Sequence, residues 1–192
     1  NITAIFLSAL FFLPGCREKE YKNDFNDPLL FSRTVKELNN VVMQNNFPPI
    51  IASRNYAYAC IAAYETIVLG DDRFQSLAGQ IKHLPPLPQQ DTVGVNFQYA
   101  ALLAFCKVGQ AVTFPEGSMK EYVSRLDSMA EASGMPAMVQ KSSRLLADSV
   151  AAHILRWSKK DNYAQTRTAE KYNVTDEAGR WVPTPPAYAQ AL

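Results

Sequence analysis

The 192-residue sequence predicts an all-α fold, a bundle of about five or six helices followed by an irregular, proline-rich C-terminal tail. Three observations predict it. Apolar residues recur at helical spacing over most of residues 27–160. Proline and glycine punctuate those stretches in the way helices are punctuated, with proline near a start and glycine past an end. No segment sustains the alternation of apolar and polar residues that marks a half-buried strand.

Taken in order, "NDPLLFSRTVKELNNVVMQNN" begins with Asp27 as N-cap and Pro28 at the first helical position. Leu29, Leu30, Val35, Leu38, Val41 and Val42 then form the apolar stripe, and "NNFPP" ends it. In "PPIIASRNYAYACIAAYETIVLG" Pro49 opens a helix and Gly70 closes it, and apolar residues run nearly all the way round, as in a helix buried on most sides. Ala52, Ala57, Ala59, Ala62 and Ala63 leave room for close neighbours. Arg54 and Glu65 interrupt this apolar surface. Eleven residues apart, they stand about 16 Å from each other along a helix and cannot pair directly, so each calls for a structural partner elsewhere in the fold, a catalytic role for either being the other reading.

"DDRFQSLAGQIKHL" reads as a short helix with Asp71 and Asp72 as its N-terminal acids, followed by the connection "PPLPQQDTVG". "NFQYAALLAFCKVGQAVTF" is a second helix apolar on nearly every side. "PEGSMKEYVSRLDSMAEASG" opens at Pro115 and Glu116, ends at Gly134, and faces a core with Met119, Tyr122, Val123, Leu126 and Met129. The longest helix runs from about Pro136 to Lys160. The last 30 or so residues, with Asp176 and Glu177 as turn residues, have no regular period.

The composition is that of one globular domain: hydrophobic residues make up 47% and charged residues 19%. Lys and Arg total 19 against 18 Asp and Glu, with no basic run, which argues against a nucleic-acid partner, because phosphate neutralisation needs clustered cations. Residues 1–16, "NITAIFLSALFFLPGC", form an uncharged apolar run too short to span a membrane. They read as an export signal whose basic start is missing. "LPGC" resembles a bacterial lipobox. On that reading Cys16 carries a lipid, residues 17–26 are a solvated tether, and the protein faces the periplasm or cell surface, held to the membrane by its lipid anchor. A plain signal peptide is the other reading. Two readings of Cys60 and Cys106 also stay open: inert buried thiols, or a disulfide in an oxidising compartment.

The sequence offers little chemistry. There is no HExxH, G-x-S-x-G, P-loop or G-x-G-x-x-G. His83 stands in an exposed connection. His153 shares a helical face with Ser149 and Trp157, as a proton carrier or as a satisfied helical histidine. A hydrolase built on His153 would lack any nucleophile motif.

Four phrases in order, "PPIIASRNYAYACIAAYE", "FQSLAGQIKHLPPLP", "HILRWSKKDNYAQTR" and "GRWVPTPPAY", resemble the N-terminal half of bacterial lipoproteins of the vanadium-dependent haloperoxidase type, within the type 2 phosphatidic acid phosphatase superfamily. The resemblance covers residues 28–192. It implies an all-α bundle and, in the intact protein, a cradle of Lys, Arg and backbone N–H groups around an oxyanion, vanadate or a phosphoryl group, with a His at the apical position. Its motifs are K-x6-R-P, P-S-G-H and S-R-x5-H. Lys160 and Arg167 have the spacing of the first, but Thr168 stands where the proline belongs, and they fall upstream of the expected place. With neither S-G-H nor the third motif present, no catalytic residue carries over, no cofactor or metal is expected in this chain, and His153, Lys160 and Arg167 are weak candidates only. The expected organisation is therefore a signal peptide (1–16), a tether (17–26), a helical domain (27–160) and a segment (161–192) leading to the C-terminal catalytic half of the same protein. The fragment would be inactive and would expose apolar surface that the other half covers. The alternative is a complete helical surface lipoprotein that binds a partner.

Overall fold

The computed structural model describes residues 21–115, 117–175 and 177–188. Cys16, the lipobox, Glu116 and Asp176 lie outside the described residues. A short 3-10 turn at Asp24–Asn26 precedes six α-helices: α1 (Pro28–Gln44), α2 (Pro49–Val68), α3 (Phe97–Val112), α4 (Lys120–Ala132), α5 (Ala137–Ser158) and the single-turn α6 (Tyr163–Thr166). Among the described residues there is no strand, only an isolated bridge between Ala78 and Ile81. No helix among them is long and apolar enough to cross a membrane.

Helix α3 is the axis of the fold. Its residues from Tyr99 to Cys106 are all buried, and α2 packs against it most extensively, followed by α5. Ala59, Ala62 and Ala63 on α2 are buried and allow that close approach. Ala57, expected to do the same, faces solvent instead. The first helix starts as its sequence dictates, with the Asp27 carboxylate accepting the Leu29 N–H at 2.9 Å. Leu29 falls off the buried stripe and is exposed, whereas Thr34 takes a core position. Thr34 gives its hydroxyl hydrogen to the Leu30 carbonyl at 2.9 Å and accepts from Tyr122 OH of α4 at 2.7 Å, so this polar group is satisfied. Beside it, α1 crosses α3 closely: a methyl group at Gly109 would meet the Leu38 side chain at 3.1 Å.

Three expectations need correction. Residues 71–84 form turns, not a helix. Asp71 is not a helix acid; both its oxygens accept from the Arg73 guanidinium two residues on, and Oδ1 also accepts the Arg73 N–H at 3.1 Å. The segment then takes its shape from side chains of α2. Glu65 is 2% exposed and accepts from Ser76 Oγ and the Leu77 N–H, both at 2.7 Å, so local helical bonding loses to a buried carboxylate. Secondly, α4 begins at Lys120 rather than near Pro115, because Gly117 takes a φ of +85° that no helix accommodates. Thirdly, Gly70 does not end α2 through a left-handed turn. It is needed for space: a Cβ there would come within 2.3 Å of the Phe97 ring.

Candidate functional site

Helix α5 carries His153 and Trp157 one turn apart, and both reach across to the irregular segment before α3. His153 Nε2 lies 3.0 Å from the Pro85 carbonyl oxygen, and Trp157 Nε1 donates to the Lys82 carbonyl at 3.3 Å. A carbonyl can only accept, so His153 carries its hydrogen on Nε2 and has no lone pair on that nitrogen for an incoming group. The ring is 6% exposed. It is therefore the satisfied histidine of the two readings, pinning residues 82–85 to the bundle. Leu84 is buried beneath them, while His83, with a φ of +60°, points to solvent.

Lys160 is exposed just past the end of α5, and Arg167 is exposed beyond α6 with its guanidinium 6.0 Å from the centre of the Tyr163 ring. His153 is engaged with Pro85, Arg167 lies by Tyr163 and Lys160 is exposed to solvent, so the three have separate surroundings. An oxyanion cradle needs several donors aimed at one point with an imidazole nitrogen free to approach it, and these three residues do not supply one.

An apolar concavity lies elsewhere. A groove of about 530 Å³ runs between the N-terminal turn of α1, the second half of α2 and the start of α3. Phe31, Tyr64, Ile67, Phe74 and Leu102 line it, with the Cys60 thiol in one wall and Asp27 and Gln98 among its few polar groups. Phe31 packs edge-on against buried Phe105 at 5.6 Å, and Phe74 against Tyr64 at 6.2 Å, so two half-exposed aromatic rings are fixed at its rim. Cys60 and Cys106 are free thiols, and burial pushes both above the ordinary thiol range, Cys106 to about 12. A thiol held protonated is a poor nucleophile. The groove can receive an apolar group, and its one carboxylate, Asp27, is engaged in capping α1. The sequence reading missed it, because Phe31 and Phe74 look like ordinary positions of two separate segments and meet only through the turns of 71–77.

Arg54 and Glu65, the two charged exceptions on α2, each have a partner elsewhere, as expected. Glu65 is satisfied by Ser76 and Leu77. Arg54 Nε donates to Asp161 Oδ2 at 2.5 Å. The tail beyond α6 does not return to the bundle: the described residues 164–188 are exposed apart from half-buried Pro183. Trp181 packs instead on Tyr172, with ring centres 5.9 Å apart, and its carbonyl accepts from Tyr172 OH at 3.1 Å.

The fold of this all-α body, with its apolar central helix and exposed exit segment, resembles that of a haloperoxidase. The chain is similar to a solved bacterial vanadium-dependent iodoperoxidase at 35% identity and a TM-score of 0.74, over 84% of this chain and 39% of that one. It thus spans about two fifths of the length of the structure it matches. No family model matches the chain. No curated protein matches it either.

Proposed function

We propose that this chain is the helical scaffold of a vanadium-dependent haloperoxidase-type or phosphatase-type protein, and that it is catalytically inert by itself. The supporting observation is the similarity to the iodoperoxidase, high over nearly all of this chain yet confined to 39% of the other. The lack of K-x6-R-P, P-S-G-H and S-R-x5-H in the sequence agrees with it. On this reading the oxyanion, vanadate or a phosphoryl group, is bound by residues outside these 192. The role of the helices is to support that part of the polypeptide and cover its apolar surface. Large apolar side chains stand ready for such cover: Leu29 on α1, Ile50 on α2, Met138 and Leu145 on α5, and Trp181 in the tail are all exposed. A lipid on Cys16, proposed from "LPGC", would hold the protein at a membrane facing the periplasm or cell surface.

The coding sequence beyond Leu192 tests the proposal. Continuation into the three motifs in order is the expected result. A stop codon directly after Leu192 would overturn it in favour of a complete surface lipoprotein.

A further inference from the structure

The chain leaves the helical body at one carboxylate. Asp161, three residues past α5, accepts from Arg54 Nε at 2.5 Å and Tyr58 OH at 3.0 Å through Oδ2. Through Oδ1 it accepts the Tyr163 N–H at 3.0 Å, which fixes the first residue of α6. The Arg54 guanidinium is in turn held between two rings, 4.9 Å from the centre of Tyr58 on α2 and 4.3 Å from the centre of Tyr163 on α6. Its Nη1 donates to the wholly buried Asn55 at 3.3 Å. Two ring contacts combined with donation from separate guanidinium nitrogens to Asp161 and Asn55 make use of the delocalised charge and several donors of arginine, which the single ammonium of lysine does not reproduce. The side chains of Arg54 and Asp161 are 20% and 24% exposed, which sets this pair apart from the solvated ion pairs on the rest of the surface. Burial pushes the Asp161 carboxyl up, but the bonds from Arg54, the Tyr163 N–H and Tyr58 outweigh it and hold the group below its ordinary range.

Past this cluster nothing comparable ties the tail down. Among the described residues 169–188 the hydrogen bonds stay within the tail, from Tyr172 to Trp181, Arg180 to Glu177 and Tyr188 to Thr184. Tyr163 is half-buried, and the described residues after it are exposed except Pro183.

We propose that Arg54, Tyr58 and Asp161 form a latch that sets the direction in which the polypeptide leaves the helical body, so that residues 163–167 are held in a fixed direction at the start of the exit segment. Arg54 and Asp161 are positioning residues: they act through Tyr163 on the segment beyond α6. The latch does not rest on the haloperoxidase reading and holds whichever partner the exit segment meets.

Backbone ¹⁵N order parameters of the 192-residue protein test this. Residues 163–167 are expected to be rigid, near the value of about 0.85 typical of ordered backbone, and to fall below about 0.6 in Asp161→Asn and in Arg54→Lys, while residues 99–106 of α3 keep their values. Arg54→Lys preserves the charge, so a loss there isolates what the guanidinium group adds beyond its charge. Tyr163→Ala removes only the ring on the exit segment's side and keeps the helical body intact should either of the other variants fail to fold. It is expected to loosen 164–167 in the same way. If residues 163–167 stay rigid in the variants, or if α3 loosens together with them, the latch is overturned and the cluster is merely part of general stability.

Discussion

Helix α3 and the tail after α6 are both rich in apolar and aromatic residues, yet they end in opposite environments. Tyr99 and Phe105 of α3 have no exposed surface, whereas Trp181 is 47% and Tyr188 62% exposed. The difference follows from backbone chemistry. Residues 97–112 contain no proline and satisfy their N–H and C=O groups within the helix, so every face can be buried at no polar cost. Pro183, Pro185 and Pro186 have no N–H to give and break any helical run, so the tail would carry unsatisfied carbonyls into a core. Apolar content decides what seeks cover. Hydrogen-bonding capacity decides what can be buried inside the same chain. Tail residues such as Trp181 therefore stay exposed among the described residues.

The comparison can be broken most forcefully in α3. Phe105→Ala removes a fully buried ring that packs against Phe31, and is expected to cost about 3–5 kcal/mol in chemical denaturation. A cost below about 1 kcal/mol would mean that α3 is not the axis of the fold. Next in size is Gly70→Ala. The added methyl would stand 2.3 Å from the Phe97 ring at the entry to α3, and overpacking of this kind costs about 1–3 kcal/mol. No loss of stability would show that the α2–α3 contact is looser than its geometry.

Alkaline unfolding sharpens the comparison at the latch. Burial, together with the hydrogen bond to Asp161, raises Tyr58 to about 12. The folded state thus favours the neutral phenol, and its contribution is complete below the unfolded value of about 10 and lost as pH rises from there towards 12. The urea midpoint should fall across that window, and Tyr58→Phe should lessen the fall. An equal fall in the variant would assign it to other groups. The smallest effect belongs to the tail: Trp181→Ala is expected to change stability by no more than about 0.5 kcal/mol, since its side chain is half exposed and packs on exposed Tyr172.

Much of the fold was legible because α1, α2, α3 and α5 announce themselves through periodicity and through Asp27, Pro28, Pro49 and Pro136. The illegible parts depended on distant side chains. The turns of 71–84 form because Glu65 captures Ser76 and Leu77, a pairing eleven and twelve residues away that no local pattern encodes. The role of Gly70 is likewise set by Phe97, twenty-seven residues on. Among the site residues, the bland reading of His153 was available from its helical setting, but its partner Pro85 was not. Arg54 was visibly in need of a partner, yet nothing in "KKDNY" marks Asp161 as the one.

The most direct test of the account is to supply the purified 192-residue protein with orthovanadate, iodide and hydrogen peroxide, and to follow iodide oxidation alongside the ⁵¹V resonance. No turnover above vanadate alone and an unchanged vanadium signal are expected, because His153 Nε2 is taken up by the Pro85 carbonyl and the sequence holds none of the three oxyanion motifs. Protein-dependent turnover with a shifted or broadened resonance would show that these helices hold the oxyanion themselves, and would contradict the scaffold reading.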